Sequence, residues 1–313
     1  MTANAPEFDN FTVGWICAIP TEGVAARAFL DERYEDPPVL AERDENSYTL
    51  GRIGKHYVVI AVLPFRNYGI ASAATAARDM VRTFPNVRIG LMVGIGGGAP
   101  GPKHDIRLGD VVVSVRSDQN GYLYGGVYQY DFGKRIQDQP FQETAFINQP
   151  SRSLLTAVSN LRVDYATSGN KLESKVDAAL NNIVENEEYV RPPPESDRLF
   201  DSNFVHPLDG CCDTVCSEYK DNGDKVIKDA ILRDKLAKER GVLCFEMEAA
   251  GLMNDFPCLV IRGICDYSDS HKNDDWHGYA AMTAAAYARD LLQKIPARSV
   301  NTEKPLGEIL GPS

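Results

Sequence analysis

Five short runs of apolar, β-prone residues constrain the fold of this chain more than any other feature of its sequence. Each run is almost continuously apolar, which is typical of strands buried on both faces of a sheet. Segments with helical spacing and capping signals lie between the runs. This alternation predicts an α/β fold with three layers, in which helices cover both faces of a central mixed, twisted sheet. The runs are residues 13–19, 57–63, 89–93, 111–115 and 258–264, and the helical segments are 21–30, 69–84, 226–240 and 278–294.

The domain organisation is less regular in the middle of the chain. The length of 313 residues allows two average domains or one large α/β domain. Polar residues dominate 118–222 and helical spacing weakens there, so we predict an insertion or long loops on the sheet rather than a second core. We therefore predict a single domain over 12–297, a disordered N-terminus over 1–11 and a poorly ordered tail over 298–313.

The charge balance limits the partners of this protein. Its formal net charge is −11, whereas nucleic acids and anionic membranes select clustered positive charge. No stretch reaches the ~18 apolar residues of a membrane span. The first ten residues lack the positive charge of a signal peptide. We therefore expect a cytoplasmic protein with no nucleic-acid or membrane partner, whose seven cysteines stay reduced.

A glycine-rich stretch follows the third apolar run. Residues 94–99 fit the dinucleotide-binding spacing G-x-G-x-x-A, but that motif requires a helix directly after the glycines. Pro100 and Pro102 follow instead, and the next strand begins near Val111. We favour a glycine turn that lets a small ligand lie against bare backbone. A purely structural turn and a nicotinamide-dependent oxidoreductase stay open as alternatives.

Acidic residues follow three apolar runs, at the edge where open α/β sheets bind ligands. Glu22 begins the first helical segment, and Asp266 ends the last strand. Glu246 and Glu248 alternate after the short apolar run 242–245, and in an extended segment they would face the same side. Each acid also has an ordinary structural interpretation, as a helix cap or a residue in a solvated first helical turn. An aspartate at a strand tip in apolar surroundings is equally suited to donate a proton.

One cysteine cluster has the spacing of metal ligands. Cys212 and Cys216 are separated by three residues, with Cys211 and His206 nearby. A clear fourth ligand and a second paired motif are missing. We therefore expect ordinary thiols, no metal ion and no cofactor.

Four separated motifs together resemble the nucleoside phosphorylase superfamily. They are residues 18–22, 94–98 with 108–114, 245–249 and 265–266, in that order. They are most similar to the methylthioadenosine/adenosylhomocysteine nucleosidases, and within these to fungal members that head multidomain proteins with nucleotide-binding and repeat regions. The resemblance covers about residues 12–117 and 223–295. It implies a nucleoside phosphorylase-like fold and cleavage of a purine–ribose N-glycosidic bond, with adenosine-type nucleosides favoured.

The resemblance also implies roles for individual residues. Asp266 corresponds to the acid that protonates the purine at N7, and Glu22 to the carboxylate that positions the attacking water. Glu248 corresponds to the residue that binds the ribose hydroxyls, with Met247 packed under the sugar. Tyr68 lies in a loop that reaches a neighbouring subunit, which implies a homo-oligomer, either a dimer or a trimer. The other expected substrate contacts are Glu246, Ile95, Gly96, Gly97, Val226, Ile227 and Cys265, the last in place of the family's usual serine.

The acceptor of the sugar is either water or phosphate. Family members that use phosphate carry an arginine before the glycines and a serine within them, where this chain has Met92 and Ile95. Neither side chain can hydrogen-bond an anion, and Glu22 would repel one, so we predict a purine nucleosidase rather than a phosphorylase.

Two alternatives remain. Arg27, Arg66 or Arg107 could restore phosphate binding by reaching the site from elsewhere in the fold. A nucleoside-binding interaction module with a degenerate site is the second alternative, which Cys265, Ile95 and the long middle segment favour.

Overall fold

A mixed β-sheet lies at the centre of the protein. The structure is a computed structural model that describes residues 6–35, 39–115, 117–119, 122–124, 126–130, 133–134, 142–143, 150–203, 229–253, 256–272 and 274–309. Its strands are β1 (Phe11–Cys17), β2 (Glu32–Arg33), β3 (Tyr48–Ile53), β4 (His56–Val62), β5 (Ile89–Gly98), β6 (Val111–Val113), β7 (Ser117–Gln119), β8 (Tyr122–Tyr124), β9 (Gly133–Lys134), β10 (Gln142–Glu143), β11 (Cys244–Phe245) and β12 (Cys258–Asp266). Within the described residues, the central sheet has eight strands in the order β2-β3-β4-β1-β5-β12-β6, with β11 paired to β5.

The strand directions create one edge at which ligand-binding residues can converge. Strands β4, β1, β5 and β12 are parallel neighbours, so their carboxyl ends meet at the same side of the sheet, called here the carboxyl edge. Strands β3 and β6 pair antiparallel with β4 and β12, and β11 pairs antiparallel with the end of β5. The predicted mixed sheet is therefore confirmed.

Helices cover both faces of this sheet, which confirms the three-layer prediction. On one face, α1, α3, α4 and α7 pack against residues such as Trp15, Leu91 and Ile261. On the other face, α2, α6 and α9 pack against residues such as Ile16, Met92 and Val260. None of the described helices combines the length and the apolar character needed to cross a membrane. The helices are α1 (Pro20–Ala28), α2 (Ile70–Thr83), α3 (Arg152–Ser168), α4 (Leu172–Ala179), α5 (Ala230–Arg240), α6 (Ala249–Leu252), α7 (His277–Lys294), α8 (Ala297–Val300) and α9 (Leu306–Ile309).

The described residues include ordered elements in all three peripheral segments, while the predicted domain bounds stay a prediction. The segment expected to form long loops contains α3 and α4, which both pack against α7. The N-terminus is ordered before residue 12, because Phe11 is fully buried in β1 and the ring of Phe8 packs at a tilt against that of Phe84, with 5.0 Å between the ring centroids. The C-terminal tail is anchored by Leu306, which is buried and donates its backbone N–H to the carbonyl of Val87.

Candidate active site

Glu22 lies in the first turn of α1, directly beyond the carboxyl end of β1. Its side chain is buried and accepts backbone hydrogen bonds from Ala18 (2.5 Å), Ile19 (3.3 Å) and Ile95 (2.8 Å). The bond from Ile95 links α1 to the glycine-rich part of β5. Burial raises the pKa of the Glu22 carboxyl, although Arg262 and these N–H groups favour its charged form.

The glycine-rich stretch is a strand, not the turn that the sequence predicted. Residues 94–98 continue β5, and the parallel register places Gly94 beside Arg262 and Gly97 beside Asp266. A Cβ atom on Gly94 would overlap Glu22 Oε1 and lie 2.6 Å from Arg262 Nη1. A Cβ on Gly97 would overlap Ser268 Oγ and lie 2.6 Å from Asp266 Oδ1. The glycines therefore allow acidic and basic side chains to lie directly against the strand.

Arg262 is the residue that sequence reasoning missed. It lies in the middle of β12, is 1% exposed, and joins three carboxylates from two distant segments of the chain. Its Nη2 lies 2.6 Å from Glu246 Oε2 and 3.5 Å from Glu248 Oε2, and its Nη1 lies 4.0 Å from Glu22 Oε1. The sequence did carry an indication of this role, because Arg262 is the single charged residue inside the apolar run 258–264.

Glu246 and Glu248 differ in their local roles. Glu246 accepts the backbone N–H groups of Glu248 and Ala249, so it caps the short helix α6, where the structural alternative was a solvated helix start. Glu248 is buried, and burial raises the pKa of its carboxyl to about 7, with further contributions from the charges of Glu246 and Glu22. Both residues nevertheless contact Arg262, so capping and site formation coexist at Glu246.

Asp266 ends β12 and is 6% exposed. Its Oδ1 accepts the backbone N–H of Ser268 at 2.7 Å, and its Oδ2 lies 3.4 Å from Cys265 Sγ and 3.0 Å from Lys272 Nζ. Cys265 Sγ also lies 3.6 Å from the carbonyl oxygen of Gly96. Burial raises the pKa of the Cys265 thiol well above its usual range, with the charge of Asp266 adding to the effect. The cysteine therefore stands as a neutral thiol beside the aspartate.

The remaining predicted site residues fall into three groups. Met247 is 47% exposed and Tyr68 is 40% exposed, and both lie near the carboxyl edge. A Cβ on Gly96 would lie 3.0 Å from the carbonyl oxygen of Phe245, so this glycine packs against β11. Outside the described residues lie Val226, Ile227, His206, Cys211, Cys212 and Cys216.

A cavity of about 340 Å³ opens beside the carboxylate cluster. Glu246, Met247 and Arg262 contribute to its wall, which is otherwise largely apolar and includes Ile70 and Phe245. Residues 112–115, 126–130 and 240–244 complete the lining, together with Ala250 and Val260. The cavity therefore borders the cluster on the side of Glu246.

The three arginines that could have restored phosphate binding have other partners. Arg27 donates to Thr49 at 2.8 Å, Arg66 lies over the ring of Phe65, and Arg107 pairs with Asp105 at 2.8 Å. Arg262 brings one positive charge to a cluster of three carboxyl groups, which leaves no excess of positive charge to attract an anion.

The sequence profile of the phosphorylase superfamily matches residues 12–297. The chain belongs to the phosphorylase superfamily. A nucleotide-binding leucine-rich repeat-like protein of Hyaloscypha variabilis is 45% identical over 97% of this chain, but the chain spans only 32% of that protein. A 5′-methylthioadenosine/S-adenosylhomocysteine nucleosidase of Mycobacterium bovis is 25% identical over 91% of this chain and 97% of its own length. An Escherichia coli protein named ATP nucleosidase Cap17 is 35% identical over 78 residues, which are 23% of this chain and 15% of that protein.

The fold of this phosphorylase superfamily member also occurs in solved nucleosidase structures. The Helicobacter pylori 5′-methylthioadenosine/S-adenosylhomocysteine nucleosidase has a TM-score of 0.54 at 18% identity, with 90% of this chain and 98% of that chain covered. This similarity concerns the fold alone.

Proposed function

We propose that this protein hydrolyses the N-glycosidic bond of a purine ribonucleoside, with adenosine-type substrates favoured, and releases the free base and the sugar. The observation that carries the proposal is the separation of charge at the carboxyl edge. Glu22, Glu246 and Glu248 surround Arg262, whereas Asp266 ends the same strand four residues later, beside Gly97. The end of the site with Glu22 and Glu248 can thus stabilise positive charge, and the end with Asp266 can deliver a proton.

This arrangement suits glycosidic cleavage because charge separates in its transition state. Positive charge grows on the sugar, where the carboxylates of Glu22 and Glu248 stabilise it, and negative charge grows on the base. Asp266 protonates the purine at N7, which makes the base a better leaving group. General acid catalysis of this kind contributes about 10²–10⁴-fold to a rate. Glu22 positions the attacking water, Glu248 binds the ribose hydroxyls, and Met247 packs under the sugar.

The remaining contacts complete the proposed site around the bound nucleoside. The backbone of β5 at Ile95, Gly96 and Gly97 borders the nucleoside, Glu246 holds Arg262 in place, and Cys265 supports Asp266. Tyr68 extends from the loop before α2 towards a second subunit in a homo-oligomer.

Water is favoured over phosphate as the acceptor of the sugar. A phosphate dianion needs cationic and hydrogen-bonding partners, and the cation nearest to Glu22 is already shared among carboxylates. The alternative of a binding module without catalysis is supported by the relative named as a leucine-rich repeat-like protein and by the cysteine at position 265.

A product analysis tests the proposal. The protein is incubated with adenosine, inosine, guanosine, 5′-methylthioadenosine and ATP, with and without phosphate, and the sugar product is identified. Free sugar formed at equal rates in both buffers supports hydrolysis. Sugar 1-phosphate formed only with phosphate would identify a phosphorylase, and binding without turnover would identify a binding module. ATP is included because one relative carries the name ATP nucleosidase.

A pair of variants tests the role of Asp266. We expect Asp266→Asn to lower kcat by about 10²–10⁴-fold with an unchanged thermal midpoint, because the amide has no proton of suitable acidity to give. Asp105→Asn is the matched control, since Asp105 is 77% exposed and pairs with Arg107. Turnover of Asp266→Asn at the rate of the control would remove Asp266 from the mechanism.

A further inference from the structure

Arg233 is a buried charged residue that the mechanism above leaves unused. It lies on α5 and is 3% exposed. Its Nη1 donates a hydrogen bond of 2.8 Å to the backbone carbonyl of Tyr267, the residue that directly follows Asp266. The same guanidinium pairs with Asp234 at 2.7 Å and lies 3.7 Å from Asp269. Arg233 therefore connects α5 to the loop that begins at the end of β12.

One peptide unit joins Arg233 to Asp266. The carbonyl of Tyr267 and the N–H of Ser268 belong to the same peptide bond, and in a planar trans peptide these two groups point in opposite directions. The carbonyl accepts a hydrogen bond from Arg233, while the N–H donates to Asp266 Oδ1 at 2.7 Å. The orientation of the peptide that satisfies Arg233 is therefore the one that aims the N–H at the carboxyl group.

The backbone at this peptide needs support from its surroundings. Ser268 has a φ of 51°, in the left-handed region that residues with a side chain rarely occupy. Tyr267 and Ser268 are 4% and 2% exposed, so water cannot replace a lost hydrogen-bond partner of this peptide. A flip of the peptide plane would relieve Ser268, but it would turn the carbonyl towards Asp266 in place of the N–H. Strained conformations of this kind persist where the surrounding structure holds them, and they concentrate at active sites.

We propose that Arg233 is a positioning residue of this active site, which holds Asp266 in place against the leaving base through the peptide between Tyr267 and Ser268. The inference rests on the hydrolytic function proposed above. The base meets Asp266 at a fixed position only if the carboxyl group cannot rotate, and the N–H of Ser268 holds one of its oxygens. Because Arg233 acts through the backbone of the loop, its removal should slow the chemical step and leave the binding of the nucleoside nearly unchanged.

Arg88 provides a matched control at the opposite edge of the sheet. Like Arg233, it binds backbone carbonyl groups, because its Nη1 donates to Glu303 and, at 3.4 Å, to Asn301. Arg88 directly precedes β5, whose other end forms the glycine-rich part of the site. Replacing Arg88 therefore measures what the loss of an arginine–carbonyl contact does to folding alone.

The kinetic experiment compares Arg233→Met, Arg233→Lys and Arg88→Met in the full chain, on the best substrate of the wild-type protein. For Arg233→Met we expect kcat to fall about 10²-fold, because a displacement of a catalytic group by about 1 Å has an effect of this size. The dissociation constant of 7-deazaadenosine, which has no N7 for Asp266 to meet, should change less than about threefold. Arg233→Lys keeps one donor for the carbonyl and should stay within about tenfold of the wild-type kcat. Arg88→Met should keep the wild-type kcat.

Hydrogen exchange gives a readout that needs no turnover. The amide of Ser268 should exchange at least about tenfold faster in Arg233→Met than in the wild type, relative to the amides of β1, because its bond to Asp266 opens more often. Arg88→Met should leave this ratio unchanged. A wild-type protein inactive on every nucleoside, in which Arg233→Met still speeds the exchange of Ser268, would refute the proposed function while the link from Arg233 to Asp266 holds.

Two results would overturn the proposal. A wild-type kcat in Arg233→Met would show that Asp266 does not depend on Arg233. Binding of 7-deazaadenosine that weakens in proportion to kcat would show that Arg233 supports the pocket as a whole. Should Arg233→Met fail to fold, Arg233→Gln takes its place, since its amide is polar but too short to reach the carbonyl of Tyr267, and we expect the same loss of kcat.

Discussion

Arg262 donates a hydrogen bond of 2.6 Å to Glu246, and this bond lies at the centre of a buried cluster of charges. The guanidinium also faces Glu248 and Glu22, and the side chain of Arg262 is 1% exposed. A charge removed from water at this depth is stable only with opposite charges around it. Arg262 and the three carboxyl groups therefore depend on one another for their burial.

Replacing Arg262 should test this dependence. We expect Arg262→Met to lower the free energy of unfolding by about 3–5 kcal/mol at pH 8, because it leaves buried carboxylates without their counter-charge. At pH 5 the loss should be smaller, since the carboxyl groups can protonate. Urea unfolding at both pH values measures the difference. Arg191→Met is the control: its partner Glu173 is exposed, so the loss should stay below about 1 kcal/mol. Equal losses in the two variants would contradict the burial argument.

The carboxyl group of Glu248 should make stability depend on pH near neutrality. Its pKa is raised from 4.5 to about 7 by burial, so between these values the folded protein holds a proton that the unfolded chain has lost. Stability contributed by the protonated form is therefore lost as the pH rises from about 4.5 to 7. We expect Glu248→Gln to remove this loss, which is on the order of 3 kcal/mol.

Urea unfolding at pH 4.5 and pH 8 measures the effect of Glu248→Gln. The free energy of unfolding of the variant minus that of the wild type should be larger at pH 8 than at pH 4.5. Glu173→Gln is the control, because Glu173 is 60% exposed. The same difference between wild type and Glu248→Gln at both pH values would show that Glu248 does not titrate in this range.

The sequence predicted the parts of this fold that depend on local pattern. The apolar runs became strands, and Glu22 and Asp266 follow strands that end at the same edge. Helix α3 was missed because only Leu154, Ala157 and Leu161 are buried along its 17 residues. Such a sparse apolar stripe gives a weak helical period.

The electrostatics of the site could not be predicted from the sequence because they depend on strand register. Arg262 lies beside Gly94 only because β12 pairs with β5 in one particular register. That pairing brings an arginine to three carboxylates from two distant segments, and no local pattern encodes it. Lys272 was missed for a related reason: its partner Asp266 was evident, but the path of the loop that returns it to Asp266 was not.

The glycines of β5 should tolerate no side chain where they border the charged groups. We expect Gly94→Ala and Gly97→Ala to lower kcat/KM at least 10²-fold and stability by about 1–3 kcal/mol. The new methyl group displaces Glu22 and Arg262 at position 94, and Ser268 and Asp266 at position 97. Gly101→Ala is the matched control, since nothing lies within 4 Å of its Cβ position. Activity assays and thermal unfolding of the three variants measure this. Wild-type kinetics in Gly94→Ala would show that Glu22 and Arg262 need not lie against the strand.

The buried cysteines should be inert towards alkylation in the folded protein. Cys17, Cys258 and Cys265 are buried, and burial raises the pKa of both Cys244 and Cys258 to about 12. At pH 8 a thiol with that pKa is ionised to roughly one part in 10⁴, and the thiolate is the reactive form. We expect Cys17, Cys258 and Cys265 to react with iodoacetamide at least 10³-fold more slowly in the native state than in urea.

Peptide mass spectrometry after timed alkylation measures each cysteine separately. Val184→Cys supplies a positive control, because Val184 is fully exposed and a thiol there should react at the same rate in the native state as in urea. Substrate should not change the labelling of Cys265, since this thiol is inaccessible before the ligand binds. Rapid native labelling of Cys265 would show instead that it is exposed to reagent and that its thiol ionises, contrary to a neutral supporting role beside Asp266.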